Sequence, residues 1–104
     1  MSMEIEEISK VEIRDNEEMY IVLASGGKPM YQHIYREAAE VYWDNEAKGF
    51  KAPPPRKWSY SDWYHHIVGV AASGLGISLE LSSKTNWVNV PTEIKAEICA
   101  KQNT

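Results

Sequence analysis

Val11 and Ile13 alternate with Lys10, Glu12 and Arg14, the two-residue period of a strand with one buried face. Asp15-Asn16-Glu17-Glu18 supplies turn chemistry before the continuously apolar run Met19-Tyr20-Ile21-Val22-Leu23. The pattern predicts a β-hairpin whose second strand is covered on both faces. Ser25-Gly26-Gly27-Lys28-Pro29 then interrupts it. From Met30, Tyr31, Ile34, Tyr35, Ala38, Val41 and Tyr42 recur at helical spacing, with Gln32, His33, Arg36, Glu37 and Glu40 on the other side. An amphipathic helix started by Pro29 and running to about residue 40 is expected. Val41-Tyr42-Trp43 is β-prone and residues 44–49 can turn the chain into a strand at Phe50, so a short hairpin is favoured over continuation of the helix through 41–52.

Pro53-Pro54-Pro55 excludes a helix interior or central strand and makes residues 52–57 an extended internal connection. Ser59 and Asp62 have capping-box spacing and Gly74 marks a stop, which predicts a helix over about 60–73. Its buried face carries Tyr60, Trp63, Tyr64, Ile67, Val70 and Ala71, and Asp62, His66, Gly69 and Ser73 lie opposite. Ile77, Leu79 and Leu81 alternate with Ser78, Glu80 and Ser82 as a half-buried strand, residues 83–86 form a polar turn before Trp87-Val88, and Pro91 opens a closing helix to about Lys101. The predicted order is ββ-α-ββ-α-β-α. The fold class is α+β, a small, mainly antiparallel sheet packed by two main helices and a short C-terminal one.

At 104 residues the chain has room for one core, so residues 1–104 are read as a single domain. Hydrophobic residues at 43% and charged residues at 25% are ordinary globular values. No apolar run approaches the ~20 residues of a membrane-spanning helix, and the acidic start is unlike a signal peptide. A lone Cys99 has no partner for an internal disulfide. Together these point to a soluble cytoplasmic protein with no membrane association. The net charge of −4 is concentrated in residues 1–19, where seven acids oppose Lys10 and Arg14 for a balance of −5, and residues 1–7 are expected to fray.

Candidate chemistry is sparse. Gly26-Gly27-Lys28 lacks the other positions of a phosphate-binding loop, with Val22 and Pro29 where glycine and Ser/Thr are needed. His65 and His66 are adjacent and cannot share a helix face as zinc ligands do, so no metal and no cofactor is expected. Asp62 and His66 stand at i,i+4, a spacing at which a carboxylate orients an imidazole; they are the catalytic candidates for a small hydrolase or isomerase. Cys99 has no histidine or basic cluster beside it and reads as a small buried hydrophobe.

Aromatic content is what departs from an average domain. Tyr42, Trp43, Phe50, Trp58, Tyr60, Trp63 and Tyr64 fall within 23 positions, and Trp87 follows. Some of these rings form the core; Tyr42, Trp43, Asp44, Phe50 and Trp58 are the candidate ligand or partner contacts, where rings beside carboxylates suit an organic cation or a flat aromatic molecule. Trp and Tyr also anchor protein partners, a second copy of the chain as a homodimer included. Lys48, Lys51, Arg56 and Lys57, with Phe50 and Trp58, outline a single-stranded nucleic-acid alternative, which the acidic hairpin disfavours. In size, acidity and aromatic content the chain resembles small single-domain bacterial proteins, among them those carried on mobile gene cassettes and the acidic immunity proteins that neutralise toxins. That resemblance assigns no residue a role. The expected function is a small acidic binding module.

Overall fold

The computed structural model describes residues 4–36, 40–54, 56 and 58–102, the side chains of 101 and 102 excepted. Among these residues six strands, β1 (Glu4–Ile13), β2 (Met19–Leu23), β3 (Tyr42–Asp44), β4 (Gly49–Ala52), β5 (Ile77–Glu80) and β6 (Asn86–Val88), combine with a 3-10 helix (Pro29–Arg36), α1 (Tyr60–Val70) and α2 (Thr92–Gln102). The class is α+β, as the pattern predicts. The order differs only by β6, whose three residues are too few to display a period. The closing helix α2 is as long as α1 rather than shorter.

The sheet is mixed. β1 pairs antiparallel with β2, β2 with β4, and β4 with β3. The other edge of β1 is shared by two parallel partners, β5 along residues 4–7 and β6 along residues 10–12. Where one ladder gives way to the other, the β1–β2 register slips between Ile8 and Lys10. There the Thr85 hydroxyl donates to the Ile8 carbonyl at 2.6 Å and accepts the Ser82 N–H at 3.0 Å. Leaving such a buried carbonyl unpaired costs about 1–3 kcal/mol, so Thr85 bridges the gap between the two ladders. Residues 4–7, part of the segment expected to fray, pair with β5, and Glu6 is only 4% exposed. Residues 1–3 lie outside the described residues.

Ile8, Val11, Ile13, Met19, Ile21, Leu23, Phe50, Ala52, Ile77 and Leu79 form the sheet's share of the core, and Tyr31, Ile34, Trp63, Tyr64, Ile67, Ala71 and Ile98 come from the helical elements. Tyr20 points to the opposite face yet is 4% exposed. The Arg14 guanidinium lies 3.9 Å from the centre of its ring, and Glu12 and Lys51 are its cross-strand neighbours. The outer side of β2 is thus covered by side chains of the sheet itself.

Between Pro29 and Arg36 the expected α-helix is a 3-10 helix, opened by a bond from the Tyr31 N–H to the Lys28 carbonyl at 3.0 Å. At three residues per turn, Tyr31 and Ile34 eclipse and are both buried, whereas Tyr35 rotates out and is 49% exposed. Ala38 lies outside the described residues. The α1 capping box is present in both directions, Ser59 Oγ accepting the Asp62 N–H and Asp62 Oδ2 accepting the Ser59 N–H, each at 3.2 Å. The helix does not stop at Gly74. It runs into a π-helical turn over Ala71–Leu75, and Gly76, at φ 69°, takes the left-handed closing position.

Candidate functional site

After β2 the chain must reverse in a few residues, and Gly26 and Gly27 do so at φ 82° and 78°. Ser25 Oγ accepts the Gly27 N–H at 3.1 Å and donates to Glu6 Oε1 at 2.7 Å. The second oxygen of Glu6 accepts the hydroxyl of Tyr31. One buried carboxylate thereby ties the glycine loop to the first turn of the 3-10 helix. Burial, with the hydrogen bond to Glu6 second, holds the Tyr31 phenol well above its ordinary value.

Tyr31 in turn positions Trp43. The two rings meet edge-on with centroids 5.5 Å apart, and Trp43 meets Phe50 the same way at 5.0 Å. Trp43 stays half-buried, and its six-membered ring lies against the backbone of Gly27. A Cβ at Gly27 would stand 2.2 Å from Trp43 Cη2, so no other residue fits without moving the indole. A cleft of about 350 Å³ opens between residues 26–29 and Trp43, with Gln32, Asn45 and Lys48 completing its lining. Lys28 Nζ pairs with Glu4 Oε2 at 2.5 Å, both groups about half-exposed. Lys48 enters from the β3–β4 turn, where it adopts φ 60°.

The other candidates disperse. Asp44 accepts the N–H groups of Glu46 and Ala47 at 2.9 and 3.0 Å, so its carboxylate shapes that turn. Phe50, expected to meet a ligand, is 0% exposed: strand alternation in β4 points it inward between Ile21 and Trp43, and it acts by supporting Trp43. Tyr42 is exposed on the outer sheet face, opposite Lys51, which pairs with Glu18 at 3.9 Å. Lys48 and Lys51 therefore serve opposite sides of the sheet; Arg56 is exposed, and Lys57 lies outside the described residues.

A second ring cluster sits on α1. Trp58 is 43% exposed, its ring 4.8 Å from both Trp63 and His66. Asp62 serves in the helix cap and His66 is half-buried against those two tryptophans. Cys99 is half-buried on α2. Glu6, Ser25, Gly27 and Tyr31 escape a reading of the sequence as site residues. The parity of Glu6 with Ile8 along β1 is the one signal that places it facing inward.

A family model described as Integron Cassette Protein Hfx_Cass5 matches residues 6–85, a span that contains the glycine loop, Trp43, Lys48 and all of α1. The chain belongs to that family. Among solved structures, it is similar to the integron cassette protein Hfx_Cass5 from the mobile metagenome of the North West Arm sewage outfall. The two share 35% identity over 99% of this chain and 100% of that one, with a TM-score of 0.44. No curated protein matches the sequence. The resemblance to proteins of mobile gene cassettes is borne out. Among the described residues, no helix is long and apolar enough to cross a membrane.

Proposed function

We propose that this domain is a binding module that takes a small ligand with a flat, unsaturated body into the cleft between the glycine loop and Trp43. The observation that carries the reading is the half-buried indole at the wall of the cleft, braced edge-on by Tyr31 and Phe50 and held in place by its contact with Gly27. A volume of about 350 Å³ suits a small organic molecule, and an aromatic wall with a few polar groups is how such sites are usually built. The test is intrinsic fluorescence of a chain keeping only Trp43, made with Trp58→Phe, Trp63→Phe and Trp87→Phe. Flat aromatic compounds should quench or shift its emission in a saturable way. A Trp43 signal indifferent to every such compound would remove the reading.

A protein partner is the second reading, favoured by one observation: Trp58 keeps 43% of its surface exposed while its ring is steeply inclined against Trp63 and His66. Such a ring is a typical interface anchor, and the partner includes a second copy of the chain. Trp58→Ala should then lower the apparent mass in sedimentation, or abolish a complex seen with wild type. A hydrolase or isomerase role draws less support, because Asp62 Oδ2 caps α1 and His66 is packed against rings. Single-stranded nucleic acid draws less still, since Lys48 and Lys51 diverge. A lone, half-buried Cys99 supports the cytoplasm as the setting.

A further inference from the structure

We infer that the ligand of this cleft is a monoanion, a flat molecule bearing one carboxylate. The inference rests on the binding reading above and concerns the charge of what is bound. The cleft is lined by two cations, Lys28 and Lys48, and two carboxamides, Gln32 and Asn45, with no acid in its lining among the described residues. In a chain of net charge −4, that local balance runs against the whole. It also reverses the organic cation suggested by the nearby carboxylates, for Asp44 is engaged by two turn amides and Asp62 by the α1 cap.

The number of charges follows from the pairing. Lys28 is already matched by Glu4, leaving Lys48 as the lining cation with no ion pair among the described residues. One uncompensated positive charge beside an aromatic wall calls for one negative charge on a flat body. The carboxamide N–H groups of Gln32 and Asn45 add donors suited to carboxylate oxygens. The Lys28–Glu4 pair is half-exposed on both sides, where such pairs contribute little, so Lys28 can transfer part of its attraction to an incoming anion.

The experiment is isothermal titration of the full chain with three groups of matched probes: aromatic carboxylates (benzoate, 2-naphthoate and indole-3-carboxylate), their neutral amides, and the corresponding arylmethylammonium cations. The acids should bind about tenfold or more tighter than the amides, with the cations weakest, a difference equivalent to one charge-assisted hydrogen bond. Lys48→Gln should lower affinity for the acids by about tenfold and leave the amides unchanged. Glu4→Gln should tighten the acids by about two- to threefold by releasing Lys28. Equal binding of acid and amide, or equal loss of both in Lys48→Gln, overturns the anionic assignment while leaving the cleft as a site. Failure of every probe to bind overturns the cleft reading itself.

Discussion

Two clusters of three rings, each with tryptophan at its centre, have opposite relations to the backbone around them. Tyr31, Trp43 and Phe50 come from three separate elements and are locked by a glycine loop and a buried carboxylate, which leaves one indole at the wall of a cleft. Trp58, Trp63 and His66 come from one helix and the residue just before its cap, and there an exposed Trp58 covers a buried Trp63 and a half-buried His66. The first cluster is an outcome of tertiary structure and the second of local spacing. An aromatic count cannot separate them; what separates them is whether backbone without side chains stands opposite the ring.

The largest expected difference is in stability. Phe50→Ala should cost about 3–5 kcal/mol, because it removes a fully buried ring beneath both Tyr31 and Trp43. Trp58→Ala should cost about 1 kcal/mol, since half of that ring is already in water. Urea unfolding of the two variants measures this, and equal losses would abolish the distinction.

The glycine pair gives the next contrast. Gly26→Ala places a Cβ in open space and should cost only the left-handed backbone, about 1–2 kcal/mol. Gly27→Ala adds a collision with Trp43 and should cost about 1–3 kcal/mol more, with a changed Trp43 emission. If the two variants prove alike, Trp43 is not braced by the loop.

Tyr31→Phe keeps the ring but removes the hydroxyl that Glu6 accepts, and should lose about 1.5–3 kcal/mol. That deletion tests whether the carboxylate really joins loop and helix. The same bond has a signature in pH. Burial raises the phenols of Tyr31, Tyr64, Tyr20 and Tyr60 above their ordinary value. The folded chain therefore keeps protons that the unfolded chain releases near pH 10. Stability from these groups is fully present below that point and is lost as pH climbs beyond it. Melting temperature should hold steady to about pH 9.5 and then fall, less steeply in Tyr31→Phe. A melting temperature that rises above pH 10 would contradict the assignment.

Much of the fold was legible because its signals are local. Alternation at Val11 and Ile13, the turn residues before Met19 and the Ser59–Asp62 cap all act within a few positions, and each has its expected place. The 3-10 helix was not legible, since Tyr31 and Ile34 share a face under either helical period and only Tyr35 tells the two apart. Nor were the parallel pairings of β1, which depend on strands more than 70 positions away. For the site, Trp43 could be named from sequence but Phe50 could not be distinguished from it. Glu6 looked like one more solvated acid in a charged segment, because Ser25 and Tyr31 reach it only once the loop has folded back.

The most direct test of the cleft is a two-dimensional ¹⁵N–¹H spectrum of the chain titrated with 2-naphthoate, in which each of the four tryptophans contributes one indole N–H signal. The account predicts that the Trp43 indole and the Gly26 and Gly27 amides shift together and saturate, while the Trp58 indole stays in place. Movement of the Trp58 signal alone, with Trp43 and the glycines unmoved, would contradict it.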